Sequence, residues 1–575
     1  MEFARLAEAF EKLEAKTSRL EMTADLAELL NGAPESQIGK IIYLLQGVIA
    51  PPHRGIELGV AEKLCIDALA TVTGQTERAI EASYRKTGDL GGTARLLLEE
   101  RKQRSLGASQ LSVAKVHDNF YRIATASGQG SQTAKTRLLA ELLSNASPIE
   151  AKAITRFVTG RLRLGVGEAT IIDSLSYAKA GDKSLSKELE RAFNLSSDLG
   201  LVAETLYREG MHAIRAFKPT PFNPIRPALA ERLPSAAEII GKLGTCLAEG
   251  KYDGLRLQVH KSGDRVEIYS RRQEKITHMF PDVVAAARRQ IKAKDAIFEG
   301  EAISYDEETG RFQAFQETIK RKRKHGIGAK QKEIPLYLFA FDLMYADGKD
   351  YTTVAFAERR AALKALVSGK GLIELSKAVA VKTPAELDAF FEECVNAGLE
   401  GVMAKDLKAP YVAGSRKFAW IKLKKSYAEG LADTLDVVVV GYYYGKGKRT
   451  EFGLGGLLTA VRAEQRFKTI AKIGTGFSEA QLQELRDYLT KLKVPKKPDN
   501  VDSLLEPHAW VKPELVVEVK ADELTQSEMH TAAKTGGRGL ALRFPRLMRI
   551  RYDKSAKEAT TEKEARGLYE SQKTH

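Results

Sequence analysis

Six consecutive residues, Lys251-Tyr252-Asp253-Gly254-Leu255-Arg256, set an amine, a carboxylate, a glycine and a guanidinium side by side. A lysine attacks phosphorus or carbon only as the neutral amine. Its free pKa is about 10.4, so nearby cations or desolvation must draw the proton away. A lysine in a loop also fits a solvated surface charge, so the reading depends on partners elsewhere in the chain. Several stretches downstream offer them. Glu299 and Glu301 lie two apart in an apolar run, and strand alternation puts both on one face. Paired carboxylates suit a divalent cation, or simply an exposed edge. Glu400-Gly401 adds a carboxylate at a strand start, with a glycine that permits close approach. Lys422 and Lys424 share a strand face and suit a phosphate, or a solvated basic edge. Phe341 could stack on a base, or fill a core. The run 543–554 holds Arg543, Arg546, Arg549, Arg551 and Lys554, a set suited to polyphosphate or to a solvated basic strand.

These residues need elements to hold them. Residues 245–248 are apolar and lead into Glu249-Gly250. After the lysine loop, 255–260 alternates, Ser262-Gly263-Asp264 turns and 266–269 returns, which predicts a hairpin with Lys251 at its mouth. The clearest further strands are 296–304, 336–345 and 402–404. Residues 1 to about 215 read as helical throughout, from Phe3-Leu6-Phe10-Leu13 onward. Ser147-Pro148-Ile149-Glu150 carries a capping box with a first-turn proline. Four prolines between 219 and 227 predict an extended linker. Beyond 431 the pattern is mostly β, with strands at 437–444, 457–462, 467–473 and 515–519, one helix at 479–489 and a final helix after Thr561. That suits a small barrel of the oligonucleotide-binding (OB) type.

Composition sets bounds. The chain has 575 residues, 43% of them hydrophobic, which suggests about three domains. A net charge of +15 and a pI near 9.3 point to a polyanionic partner such as nucleic acid. Cys65, Cys246 and Cys394 are too few and too scattered for a disulfide framework or a four-thiolate zinc site. No apolar run is long enough to span a bilayer, and the first residues read as an amphipathic helix rather than a signal peptide. A cytoplasmic, nucleoid-associated protein with no membrane partner is expected.

Taken in order, Lys251 to Arg256, Ser270-Arg271, Glu299-Gly300-Glu301, Phe341-Asp342, Glu400 to Lys405, Trp420 to Lys424 and the arginine-rich 543–554 resemble the signature motifs of ATP-dependent DNA ligases. The likeness is to the archaeal and eukaryotic replicative type of the nucleotidyltransferase superfamily. It covers essentially the whole chain, including Gly160 to Glu168 in the helical third. An RNA ligase or mRNA capping enzyme would share the lysine motif but not the helical third. An NAD-dependent ligase would bring a four-cysteine zinc module, and a catalytically dead scaffold need not keep Lys251.

The resemblance implies a multidomain protein, α and α+β: a helical DNA-binding domain (1–217), an α+β nucleotidyltransferase or adenylation domain (218–427) and a β-barrel OB-fold domain with a C-terminal helix (428–575). It implies a monomeric enzyme of DNA replication, recombination and repair. That enzyme joins the 3′-OH and 5′-phosphate of nicked double-stranded DNA with ATP and Mg²⁺ or Mn²⁺, through lysyl-AMP and DNA-adenylate. Lys251 would be the nucleophile. Glu249 would accept the adenine amine, and Phe341 would stack on the base. Arg256 and Arg271 would contact the ribose and the nick phosphate, and Arg416 and Lys422 the AMP phosphate, with Lys424 beside them. Glu301 would contact the ribose or a metal, and Glu400 would be the clearest metal carboxylate. Arg546, Arg549, Arg551 and Lys554 would orient pyrophosphate. Gly128-Gln129-Gly130-Ser131 and Arg161-Leu162-Arg163 would meet the DNA backbone. The chain departs from the pattern at Glu299, where aspartate is usual. It departs again at Gln103 to Gly107, where Leu106 and Gly107 stand in place of the aromatic pair of a sliding-clamp peptide, so clamp binding there should be weak or absent.

Overall fold

A computed structural model describes residues 1–575 apart from 59, 101–109, 163, 307–310, 314–317, 322–333, 425–433, 446–452 and 575. The segment Gln103 to Gly107 and residue Arg163 therefore lie outside the described residues. The chain divides into two compact units, Met1–Lys422 and Leu423–His575.

The first unit opens with helices from Phe3–Glu14 to Met211–Arg215. Its sequence signals are met locally. Ser147 caps the helix Pro148–Val158 and Glu150 returns the bond, completing the capping box. The helices bury one apolar core that includes Phe3, Leu6, Phe10 and Leu13.

The proline-rich stretch is not a free linker, nor is it fully extended. It turns at Phe222, whose φ is 73°, and it is tied down by side chains of β3 described below. Beyond it lie β1 (Leu229–Arg232), β2 (Cys246–Lys251), β3 (Leu255–Ser262), β4 (Arg265–Ser270), β5 (Asp295–Asp306), β6 (Arg311–Phe312), β7 (Leu336–Ala346), β8 (Lys349–Asp350), β9 (Ile373–Leu375), β10 (Ala378–Val381), β11 (Gly401–Asp406) and β12 (Arg416–Lys424). They form two sheets. One runs β1-β12-β11-β2-β10, and the other β4-β3-β5-β7-β8 with β6 and β9 attached. The β3–β4 hairpin forms as its alternation predicts. Its neighbour β2 belongs to the other sheet, so the loop 252–254 crosses between sheets with Lys251 at the edge of the crossing.

Three alternate residues on one face of β3 bind the backbone of the proline-rich stretch. His260 Nδ1 accepts from the Phe222 N–H (2.9 Å). Gln258 accepts from the Ile225 N–H (2.7 Å) and donates to the Ile225 carbonyl (2.9 Å). Arg256 donates to the Ala228 carbonyl (2.8 Å). Leu195 of the helical region packs with Ile225, Ala228, Met344, Tyr411 and Trp420.

The second unit holds β13 (Leu435–Tyr443), β14 (Gly456–Ala463), β15 (Arg466–Ile473), β16 (Lys493–Val494), β17 (Val501–Asp502), β18 (Ala509–Val511), β19 (Val516–Lys520), β20 (Glu523–Ser527), β21 (Gly539–Arg543) and β22 (Arg546–Arg551), with helices Glu479–Lys491 and Glu562–Thr574. The predicted strands are present. They form an eight-stranded sheet and a separate β20–β21 pair. Among the described residues the path is open, so the expected closed barrel is not what the pairing gives. Local alternation reports each strand, whereas closure depends on pairing between strands far apart in sequence. Among the described residues, no helix is long and apolar enough to cross a membrane.

Candidate active site

Lys251 ends β2, opposite Gly401 of β11. Gly401 has a φ of 144°, a conformation that favours glycine. The Lys251 ammonium pairs with the Glu400 carboxylate. The Glu400 N–H donates to the Lys251 carbonyl (3.0 Å), which ties the end of β2 to the start of β11. The crossing loop is pressed against β5. A Cβ on Gly254 would sit 2.2 Å from the Ala302 carbonyl oxygen, so only glycine fits there. Tyr252 stacks on Phe339 with centroids 4.2 Å apart, which anchors the loop just after the lysine.

Charge is sorted around this amine. Glu301 of β5 faces it, with Asp253 nearby. Burial raises the Glu301 carboxyl to about 7, the charges of Lys251 and Arg256 oppose the shift, and Asp253 adds to it. Lys422 carries the opposite influence. Burial lowers its pKa, and the positive charges of Lys251, Arg416, Arg271 and Arg232 lower it further. Lys251 thus interacts both with carboxylates and with a member of a crowded cation group. Such a group is relieved by a polyanion.

Beneath the lysine, Glu249 shares its face of β2. It is buried, with Oε2 2.7 Å from Lys405 Nζ. Its Oε1 has no hydrogen bond. Phe341 is the extra residue of a bulge in β7, since Glu299 pairs with Asp342 and Gly300 with Ala340. Its ring meets Trp420 edge-on (5.9 Å), and the Arg256 guanidinium lies 5.4 Å from its centroid. Asp342 is buried against Arg359 in a two-pronged pair (2.7 and 3.1 Å).

Glu299 and Glu301 do share a face, but their partners differ. Glu299 is committed to Arg256 (3.1 and 2.7 Å) and to the Tyr411 hydroxyl (2.8 Å). The cation beside it is therefore a guanidinium. Arg256 is occupied by Glu299, Tyr411 and the Ala228 carbonyl. Arg271 and Arg416 are exposed. Arg546, Arg549, Arg551 and Lys554 lie in the second unit. Arg546 pairs with Asp522 (2.6 Å), Arg549 with Glu518, Arg551 with Asp436 and Asp553 (3.2 and 2.7 Å), and Lys554 with Asp436 (2.6 Å). Sequence reasoning assigned no role to Lys405, Tyr411 or Arg360. The one available signal was Lys405 itself, a lysine ending the apolar run Val402-Met403-Ala404.

A lysine at a sheet crossing, with carboxylates and clustered cations around it, is suited to a polyphosphate. The comparisons with known proteins give the family. Residues 2–176 match the family model described as DNA ligase N terminus, 227–424 that of the ATP dependent DNA ligase domain, and 450–554 that of the ATP dependent DNA ligase C terminal region. The chain is 46% identical over 578 residues to a probable DNA ligase of Dictyoglomus thermophilum, covering all of this chain and 98% of that one. It is 43% identical over 592 residues to a DNA ligase of Aeropyrum pernix, again covering all of this chain and 98% of that one. The solved structure described as Pmar-Lig_PreS3 shares the fold, with a TM-score of 0.54 and 18% identity, covering 95% of this chain and 99% of that one. The chain belongs to the ATP-dependent DNA ligase family. It is an enzyme that uses ATP and seals nicks in DNA.

Proposed function

We propose that sealing runs through covalent AMP on Lys251. The Lys251 Nζ forms a bond to the α-phosphorus of ATP as the bond to the bridging oxygen breaks. Pyrophosphate leaves and the amine loses a proton. AMP then passes to the 5′-phosphate at the nick, and the 3′-hydroxyl displaces it. An adenylate is a good leaving group where a bare phosphate monoester is not, and positioning with charge neutralisation does most of the work. The carrying observation is that Lys251 pairs with Glu400 and interacts with Glu301 and with Lys422, itself crowded by Arg416, Arg271 and Arg232.

Lys251 must leave Glu400 and lose its proton before its lone pair can attack. Lys422, Arg416 and Arg271 would hold the phosphates, Phe341 the base and Glu249 its amine, with Arg256 at the sugar or nick phosphate. Glu400 and Glu301 fit a hard divalent cation. They are oxygen donors near Lys251, and burial disfavours the charged form of Glu301, which a cation would offset. Mg²⁺ takes few protein ligands and fills the rest with phosphate and water. When bound, it would neutralise phosphate charge. Arg546, Arg549, Arg551 and Lys554 would serve pyrophosphate by exchanging their present carboxylates for it.

The wider reading has three parts, a helical DNA-binding domain (1–217), an adenylation domain (218–427) and an OB-type domain (428–575). It works as a monomer, with weak clamp binding at most. The test is incubation with α-labelled ATP and Mg²⁺, then a chase with nicked duplex. Labelled protein that discharges as the nick closes, and no label on Lys251→Ala, is the expected result. Label that persists in Lys251→Ala would refute it.

A further inference from the structure

Lys405 is a cation held where a cation is costly. Its side chain is 1% exposed, and burial lowers its pKa while Glu249 and Asp342 oppose the shift. Three rings enclose the ammonium, Trp420 at 4.3 Å, Phe341 at 4.7 Å and Phe356 at 4.7 Å from Nζ to centroid. Nζ donates to the Phe341 carbonyl (3.1 Å) and binds Glu249 Oε2 (2.7 Å). One side chain thus ties together the two residues read as meeting the base, the stacking ring and the carboxylate.

Glu249 needs that tie. Its second oxygen, Oε1, is buried without a hydrogen bond. The other cation near it, Arg360, stands 3.4 Å away. Arg360 already donates to Ser376 Oγ (2.9 Å), to the Ser376 carbonyl (2.5 Å) and to the Ala340 carbonyl (3.2 Å). A buried carboxylate oxygen left unpaired is unfavourable unless a donor arrives. An ionised carboxylate only accepts, whereas a protonated one can also donate. A 6-aminopurine donates at its 6-position and a 6-oxopurine accepts there.

We propose that Lys405 is a positioning residue for nucleotide choice: its ammonium holds Glu249 by Oε2 and so aims Oε1 as an acceptor, which selects adenine over 6-oxopurines. This rests on the reading of Glu249 as the group that meets the base. With the ammonium gone, Glu249 would lose the bond that holds Oε2, and Arg360, 3.4 Å from Oε1, would draw the carboxylate away from the base.

The test compares self-adenylation of the full chain by ATP and by ITP, with kcat/KM measured for both on one preparation so that any misfolded fraction cancels in the ratio. The ATP preference should fall by about tenfold or more in Lys405→Met, because a site that pairs a polar group rejects its mismatch strongly. The same loss is expected in Lys405→Gln, a second neutral variant should the first fold poorly. Lys405→Arg should keep the preference to within about threefold, because the charge remains. Glu249→Gln serves as control, since an amide both donates and accepts. If Glu249→Gln shifts the ratio and neither neutral Lys405 variant does, the role of Lys405 is overturned while the reading of Glu249 stands. If none of the three shifts it, both fall.

Discussion

Lys251 and Glu400 form an ion pair in which neither member can do its proposed work. The amine is held by a carboxylate, and the carboxylate is spent on an amine. ATP and a divalent ion would relieve both at once, the ion taking the carboxylate and the cations around Lys422 taking the phosphates. The same economy does not apply to Asp342. It and Arg359 are fully buried, and Arg359 also binds the carbonyls of Val354 and Ala409. Asp342 is therefore a structural residue that fixes β7 just after the Phe341 bulge. Asp342→Ala should destabilise the first unit by about 3–5 kcal/mol, because it leaves a buried guanidinium unpaired; the shift in the denaturant midpoint measures it. At this scale the sequence was partly legible. Lys251, Glu400, Glu301 and Lys422 stood out because few other chemistries use those types together. Lys405 did not, since its meaning lies in Glu249, Phe341, Phe356 and Trp420, which are scattered along the chain and meet only on folding.

Among elements, what local signals specify formed nearly as read. The strand expected at 336–345 spans Leu336–Ala346, and the helix expected at 479–489 spans Glu479–Lys491 with Ser478 and Gln481 closing a capping box. What needed partners from elsewhere was missed. The proline-rich stretch read as extended because prolines bias their neighbours that way. Its docking on Arg256, Gln258 and His260 comes from residues some thirty positions away. The short helical turn Pro52–Arg54 shows the same limit. It carries His53, buried and edge-on to Tyr269 of β4 (6.4 Å), with neither ring nitrogen hydrogen-bonded. Burial lowers His53 to about 4, Arg54 lowers it further, and Glu267 opposes. From the ordinary value near 6.5 down to 4, the unfolded chain binds the proton that the folded chain refuses. Stability is full above that window and falls as pH drops through it. His53→Leu gives up no hydrogen bond and should remove about 2–3 kcal/mol of the acid-induced loss at pH 4. Unfolding midpoints of both proteins at pH 7.5 and pH 4.5 check this. An equal drop in the two would count against a titrating His53.

Over the whole molecule, the excess of 90 lysines and arginines over 75 acidic residues matches a substrate that is itself a polyanion. A nick sealer must ignore sequence, so its affinity should rest on phosphates. Nicked-duplex binding should fall by about a thousandfold or more between 50 and 200 mM salt, given six or more phosphate contacts. Fluorescence anisotropy across that range tests it, and a nearly flat response would mean that contacts are few. The three bonded positions along β3 add a mechanical consequence. They lie in series along the segment that leads from the helical region to the site, so a pull on that region would load Phe222 and His260 first. Gln258 would follow and Arg256 would come last. Because Arg256 also grips Glu299, the rung next to the chemistry is the most firmly held. Strain entering from the helical side would be spent before it disturbed Arg256 and Glu299.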